Sequence, residues 1–170
     1  ILFSKKGIAQ NIHIAISPTK NIKRYEWFIE KATEIGIGSI TPIICQSSER
    51  KNININRSRQ KTITALKQSL QKWLVKINPL VTFEEFLSKN YIGGKFICEY
   101  NSIINSELKE NIQKHNNFII LIGPEGGFTK EEIQLAEANQ FDTISLGKNR
   151  YRTETAGILA CHTISLFHNA

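Results

Sequence analysis

The sequence predicts an α/β domain built on a mainly parallel sheet with helices on both faces. Short apolar runs alternate with longer segments whose apolar residues recur at helical spacing. The run at 118–122 is apolar at every position, which is typical of a central parallel strand buried on both faces. Because strands and helices alternate along the chain, we expect helical crossovers between parallel neighbours.

The first half of the chain predicts two strands and the helix between them. Residues 12–17 alternate as a strand does, and Asn21 is placed to cap a helix that Gly36 ends. Residues 39–45 predict a second strand, in which Pro42 favours an edge position or a strand end.

A second helix is predicted from Arg57 to about Trp73. Its apolar residues recur on one face, which we expect to be buried; they are Ile63, Leu66, Leu70 and Trp73. A capping box, in which a threonine and a glutamate three residues later bond each other's backbone amides, opens a short helix at Thr82 and a longer one at Thr129.

The remaining elements follow in the second half. Residues 95–99 and 143–146 predict strands, whereas 103–115 is polar and only weakly helical. The last helix is expected to start at Thr153 or Glu154. No internal repeat or second domain is evident in the sequence.

The charge of the chain favours a polyanionic partner. Among 170 residues, 22 are basic and 15 acidic, which gives a net charge of +7. Neutralising a phosphate backbone releases counterions, so such a surplus promotes nucleic-acid binding. A basic protein without a nucleic-acid partner fits the same charge equally well.

Metal, disulfide and membrane chemistry are not predicted. Cys45, Cys98 and Cys161 are far apart and form no CxxC pair, so we expect neither a disulfide nor a zinc site. No apolar run approaches the roughly 20 residues that a membrane span needs. We therefore expect a cytoplasmic protein with no metal and no membrane partner.

The first informative loop, Gly-Pro-Glu-Gly-Gly-Phe at 123–128, lies between the apolar run and a capped helix. In open parallel sheets, ligands bind outside the carboxyl ends of the strands, and glycines there let a ligand approach the backbone. The spacing matches neither the dinucleotide fingerprint nor the phosphate loop. Taken alone, the loop slightly favours a tight turn with no ligand.

The second informative loop lies at 146–156, Leu-Gly-Lys-Asn-Arg-Tyr-Arg-Thr-Glu-Thr-Ala, and also connects a strand to a helix. A helix cap explains Thr153 and Glu154. It does not explain Arg150 and Arg152, because the helix dipole disfavours cations just before a helix N-terminus. The two arginines therefore favour an anionic ligand.

Together the two loops resemble the ribosomal RNA small subunit methyltransferase E family. Weaker similarities at 18–20, 30–36 and 68–69 extend the resemblance over roughly residues 12–168. The resemblance implies S-adenosylmethionine as cofactor and N3 of a uridine in 16S ribosomal RNA as methyl acceptor. It also implies the SPOUT fold, whose C-terminal trefoil knot passes the last helix behind the preceding loop.

The resemblance further implies which residues hold the cofactor. At the first loop they are Leu121, Ile122, Gly123 and Gly126. At the second loop they are Leu146, Gly147, Tyr151, Arg152, Thr155 and Ala156. Tyr151 departs from the family pattern, which has a smaller apolar residue at this position.

Methyl transfer to N3 of uridine requires that the N3 proton leave, so a base or a group that stabilises the uridine anion is needed. Arg152 is the candidate for anion stabilisation. Glu125 and Glu154 are candidate bases or positioning groups. Each glutamate is explained as well by a structural role, in bracing a loop or capping a helix.

The family carries an N-terminal PUA-like barrel that helps to hold RNA, and no segment here matches it. Residues 1–11 are therefore interpreted as a linker remnant from a missing N-terminal domain, and 12–170 as the SPOUT methyltransferase domain. The resemblance implies a homodimer that acts on 16S ribosomal RNA or the small ribosomal subunit. Two alternatives stay open: a SPOUT enzyme with another RNA target, such as a tRNA ribose, and a non-catalytic RNA-binding or dimerisation module.

Overall fold

A computed structural model of the chain describes residues 11–100 and 106–168. Its sheet has seven strands in the order β3-β2-β1-β6-β5-β7, with β4 also paired to β2, and every pairing between these strands is parallel. The strands are β1 (Ile12–Ile16), β2 (Ser39–Ile44), β3 (Lys76–Ile77), β4 (Val81–Thr82), β5 (Gly94–Cys98), β6 (Phe118–Ile122) and β7 (Asp142–Ile144). The predicted α/β class is confirmed.

Helices cover both faces of the sheet and divide the core into two clusters. They are α1 (Ile22–Ile35), α2 (Ile55–Ser69), α3 (Phe83–Leu87), α4 (Leu108–Asn111), α5 (Lys130–Ala138) and α6 (Thr153–His168), with a 3-10 turn at Ile112–Lys114 after α4. One cluster holds residues of α1 and α6, and the other holds residues of α3 and α5.

The central position predicted for the run at 118–122 is confirmed, because β6 lies between β1 and β5 and all five of its residues are buried. Phe118, Ile120 and Ile122 belong to the cluster beside α1 and α6, whereas Ile119 and Leu121 belong to the other. This alternation follows from the two-residue period of a strand. It directs Leu121 away from α6.

The predicted helix caps are confirmed. The Asn21 side chain accepts a hydrogen bond from the Lys23 amide, and Gly36 ends α1 in the left-handed region at φ 87°. Both capping boxes form, at Thr82 for α3 and at Thr129 for α5. These bonds join residues two or three positions apart, so local sequence determines them.

The predicted extent and buried face of the second helix were wrong. Helix α2 begins at Ile55, after the Asn54 cap, and ends at Ser69. Leu70 then adopts a left-handed conformation (φ 54°), and both Leu70 and Trp73 are exposed. The buried face consists of Ser58, Thr62 and Ala65, small side chains that let α2 lie close to α1.

The prediction that Pro42 marks an edge strand or a strand end was also wrong. Strand β2 is interior, because β1 pairs with it on one side and both β3 and β4 pair with it on the other. Strand β3 pairs with Ser39 and Ile40, whereas β4 pairs with Ile43 and Ile44. Pro42, which has no amide hydrogen, falls in the gap between these partners.

Three predictions are tested by the described residues only in part or not at all. Of the predicted linker at 1–11, only Asn11 is among the described residues. Of the weakly helical segment at 103–115, residues 103–105 lie outside them, and α4 with its 3-10 turn occupies 108–114. The trefoil knot stays a prediction.

Candidate functional site

The two informative loops meet in one cavity at the carboxyl end of the sheet. The cavity has a volume of about 280 Å³ and is formed where β5, β6 and β7 end. Its wall consists of Cys98, Glu99 and Tyr100 at the end of β5; residues 122–128 at the end of β6; and Leu146, Gly147, Asn149, Arg150, Tyr151, Thr153 and Ala156 after β7. This position is the usual ligand-binding edge of a parallel sheet.

Two glycines give this wall its shape. Gly127 (φ 77°) and Gly147 (φ 124°) have left-handed backbones, which other residues rarely adopt. A Cβ atom added to Gly127 would meet nothing within 4 Å, and one added to Gly147 would meet only the Tyr151 hydroxyl, at 3.9 Å. Both positions therefore open onto free space, and a ligand can approach their backbone.

Gly123 and Gly126 serve packing within the chain. A Cβ atom on Gly123 would lie 3.2 Å from the Phe128 ring, and one on Gly126 would lie 3.1 Å from Ser47 Cβ. Neither residue has a positive φ. Their small size lets the first loop fold back on Phe128 and lie against the turn that follows β2.

Hydrogen bonds brace the first loop from several directions. The Thr153 hydroxyl donates to the Gly123 carbonyl oxygen at 2.9 Å and so ties α6 to the loop. The Lys20 amide donates to Glu125 Oε1 at 2.9 Å, which ties the loop to the turn after β1. The Arg50 side chain donates to the carbonyl oxygens of Thr19 and Lys20, and this links the turn after β2. The loop is therefore held in place by the protein alone.

Most of the predicted cofactor-binding residues lie on the cavity wall. They are Ile122, Gly123, Gly126, Leu146, Gly147, Tyr151 and Ala156, and the candidate base Glu125 lies there too. Their roles in ligand binding and catalysis stay predictions.

Four predicted site residues do not line this cavity. Leu121 is fully buried in the cluster beside α3 and α5. Arg152 is exposed. Glu154, which is 8% exposed, lies with Thr155 in a separate groove between α1 and α6, and its carboxylate is 3.8 Å from Arg24 Nε. Glu154 is therefore placed to stabilise the contact between these helices.

Sequence reasoning missed the contribution of β5. Cys98, Glu99 and Tyr100 line the cavity because β5 lies between β6 and β7 in the sheet. An acidic residue at the end of a predicted strand was the available signal, but the sequence does not indicate which strands are neighbours. Arg150 also lines the cavity, whereas Arg152, for which the same anionic ligand was predicted, does not.

The electrostatics of the cavity centre on Glu99 and Arg150. Partial burial raises the pKa of the Glu99 carboxyl, and the positive charge of Arg150 acts in the opposite direction. Burial raises the pKa of the Cys98 thiol well above its usual range, which keeps it a neutral thiol at physiological pH. The wall thus offers two carboxylates, Glu99 and Glu125, one guanidinium and otherwise mainly apolar or backbone groups.

Within residues 11–100 and 106–168, no group of three or more histidine, cysteine, aspartate or glutamate side chains is placed to hold a metal ion. In the same part of the chain, no helix is both long and apolar enough to span a membrane.

Comparison with known proteins now identifies the family. The sequence model of one protein family, the RNA methyltransferase domain, matches residues 6–165 of this chain. The chain belongs to this family. The match includes both loops of the cavity and every strand of the sheet.

Individual relatives agree with this family. The ribosomal RNA small subunit methyltransferase E of Rickettsia conorii is 35% identical over 140 residues, which are 81% of this chain and 57% of the relative. A probable rRNA-methyltransferase from Porphyromonas gingivalis has 32% identity and a TM-score of 0.84, over 93% of this chain and 68% of that structure. This chain thus spans just over half the length of the Rickettsia protein.

A third relative has been solved with a ligand. It is the ribosomal RNA small subunit methyltransferase E of Neisseria gonorrhoeae bound to S-adenosyl methionine. It is 26% identical, with a TM-score of 0.81 over 92% of this chain and 66% of that structure.

Proposed function

We propose that this chain transfers a methyl group from S-adenosylmethionine to N3 of a uridine in the 16S ribosomal RNA of the small subunit. The observation that carries the proposal is the cavity in which the two loops meet, with open backbone at Gly127 and Gly147. The relatives named for small-subunit rRNA methylation, one of them bound to S-adenosyl methionine, support the same assignment.

The residues of the cavity fit this cofactor. Ile122, Leu146 and Ala156 provide an apolar surface suited to the adenine ring. The backbone of Gly127 and Gly147 provides polar groups that a ligand can reach without steric hindrance from a Cβ atom. Arg150 provides a cation suited to the methionine carboxylate.

The cofactor supplies a methyl group already activated on its sulfonium, so the protein has mainly to align the acceptor and manage one proton. The uridine N3 proton must pass to a base as the new N–C bond forms. We assign this base to Glu125, the exposed carboxylate on the cavity wall. Arg152, exposed directly before α6, is assigned to stabilising the uridine anion.

The surface around the cavity suits an RNA strand. Lys148, Arg150 and Arg152 are exposed beside the cavity, and the chain carries a net charge of +7. Such cations neutralise phosphates, and the resulting affinity falls with salt. Because ribosomal RNA is the substrate, the proposed place of action is the cytoplasm.

A homodimer is part of the proposal. Gly157, Ala160 and Cys161 of α6 are buried inside the chain, so they are not available to a second copy. Phe167 at the end of α6 and Trp27 on α1 are each 44% exposed. These apolar side chains favour contact with a second copy through α1 and α6, in the closed two-fold arrangement that most soluble oligomers use.

Two measurements test the proposal. Titration calorimetry of the chain with S-adenosylmethionine should give saturable binding, and its absence would favour a non-catalytic module. Mass-spectrometric mapping of ribosomal RNA from a strain lacking the gene should show loss of one N3-methyluridine in 16S RNA, restored by the intact gene. Loss of a tRNA ribose methyl group instead would assign the enzyme to another target.

A further inference from the structure

The side chain of Glu99 occupies a distinctive place in the cavity. It follows β5, the strand between the two that lead into the informative loops. Its amide donates to the Ile144 carbonyl oxygen at 3.0 Å, so its backbone is fixed beside β7. Glu99 belongs to the wall shared with both loops.

Glu99 has no donor of its own within the described part of the chain. No hydrogen bond or ion pair of its side chain is formed there, although the residue is partly buried and Arg150 acts on it electrostatically. Partial burial of a carboxylate without donors is unfavourable, because the group loses water and gains no hydrogen bond in return. A ligand with hydrogen-bond donors would relieve this cost.

The other two carboxylates near the site already have partners. Glu125 accepts a hydrogen bond from the Lys20 amide, and Glu154 faces Arg24 in the separate groove. Of the two carboxylates on the cavity wall, Glu125 has one protein donor, whereas Glu99 has none in the described part of the chain.

This inference rests on the proposed function, since S-adenosylmethionine is taken as the ligand. We propose that the Glu99 carboxylate recognises the adenosine ribose by accepting hydrogen bonds from its two vicinal hydroxyls. Two adjacent donors match the two oxygens of a carboxylate. An acidic side chain after a strand beside the glycine-rich loop performs the same task in doubly wound dinucleotide-binding sheets.

The ligands have two other donors, the methionine ammonium and the uridine N3–H. The methionine ammonium belongs to the part of the cofactor whose carboxylate needs a cation such as Arg150, and the uridine N3–H enters only with RNA. The apolar wall at Ile122, Leu146 and Ala156, which suits adenine, lies in the same cavity as Glu99. These surroundings favour the nucleoside part of the cofactor as the partner of Glu99.

Calorimetry with cofactor analogues tests the assignment without any measurement of methylation. The probes are S-adenosylhomocysteine, its 2′-deoxy and 3′-deoxy analogues, and 5′-methylthioadenosine, which lacks the amino acid. For the unchanged chain, removal of either hydroxyl should weaken binding about tenfold. Glu99→Gln should weaken binding of S-adenosylhomocysteine and 5′-methylthioadenosine by the same factor, about 10- to 100-fold. In that variant, removal of a hydroxyl should cost much less.

Glu131→Gln is the matched control, because Glu131 is an exposed carboxylate on α5 that does not line this cavity. It should bind all four probes as the unchanged chain does. If the deoxy analogues bind the unchanged chain as tightly as the parent compound, the assignment is overturned without any variant. If Glu99→Gln affects S-adenosylhomocysteine but not 5′-methylthioadenosine, the contact is to the ammonium. Failure of the unchanged chain to bind any probe would overturn the proposed function itself.

Discussion

The Thr153 hydroxyl donates a hydrogen bond to the carbonyl oxygen of Gly123 at 2.9 Å, and this bond joins the first residue of α6 to the glycine-rich loop. Thr153 is 4% exposed, so water does not compete freely for the carbonyl. This hydrogen bond therefore connects the two halves of the cavity directly.

Thr153→Val should break this connection at nearly constant volume. Loss of the hydrogen bond leaves the Gly123 carbonyl without its donor, and we expect a fall in unfolding free energy of about 1–3 kcal/mol. The affinity for S-adenosylmethionine should fall with it, because the loops lose their alignment. Urea denaturation and calorimetry measure the two effects. Thr153→Ser keeps the hydroxyl and should retain most of both; an equal loss in the serine variant would refute the role of the bond.

Gly157→Ala should destabilise the contact between α6 and α1. The added Cβ would lie 2.6 Å from Phe28 Cε2 and 3.0 Å from Ile16 Cδ1, both in the core. Overpacking of this kind costs about 1–3 kcal/mol, which exceeds the roughly 1 kcal/mol that alanine gains over glycine in a helix. Thermal unfolding measures the net loss. Phe28→Leu in the same chain should recover part of it, and strictly additive losses would contradict the predicted clash.

Leu70→Gly should stabilise the protein. Leu70 has φ 54° and is 87% exposed, so it bears the cost of a left-handed conformation without the benefit of burial. Glycine removes that cost, and we expect a gain of up to about 1 kcal/mol, observed as a higher urea midpoint. Leu70→Ala keeps a Cβ atom in the same conformation and should give almost no gain. Equal gains in both variants would indicate a different cause.

Acid should destabilise the fold through His13. Burial, with smaller effects from Lys76 and Lys89, lowers the pKa of His13 from 6.5 to about 4. The unfolded chain therefore binds a proton that the folded chain does not between these two values, and stability falls as pH drops from 6.5 to about 4. The contribution is of order 3 kcal/mol, present in full above pH 6.5. Unfolding midpoints across this range should flatten in His13→Gln, and an unchanged slope would rule out His13 as the source.

Arg152→Ala should lower methylation more than cofactor binding. Arg152 is exposed and does not line the cavity, so its removal leaves the cofactor contacts in place. Loss of a group that stabilises a developing anion lowers turnover by about 10²-fold or more. Single-turnover methylation of 16S RNA by the full-length enzyme measures this, with S-adenosylmethionine affinity measured in parallel. Arg59→Ala, at an exposed arginine of α2, is the control for a general loss of charge. Unchanged turnover would assign Arg152 a structural role.

Features determined by near neighbours in the chain could be predicted from the sequence. The Asn21 cap, the Thr129 capping box and the buried run at 118–122 depend on residues a few positions apart, and each forms as expected. The apolar spacing around Leu70 was misleading, because the helix ends at Ser69 before that residue. Strands β3 and β4 have two residues each, too few for any periodic pattern.

Features of the site that depend on strand order could not be predicted. Glu99 reaches the cavity because β5 lies between β6 and β7. No residue of β5 indicates which strands pair with it. Arg150 and Arg152 looked equivalent in the sequence. A loop lacks the regular repeat that predicts side-chain direction in strands and helices. The structure separates them, with Arg150 on the cavity wall and Arg152 in solvent.

The gap at Pro42 has a consequence for self-association in the crowded cell. It splits the outer partner of β2 into two strands of two residues each, so this side of the sheet presents no long row of free amides and carbonyls. On the opposite side, β7 has three residues, and Ser145 just beyond it exchanges hydrogen bonds with Ser106 and Leu108. Short and interrupted edges give another chain little to extend, which disfavours growth of intermolecular β-structure. The isoleucine-rich sheet is in this way kept from becoming a template for aggregation.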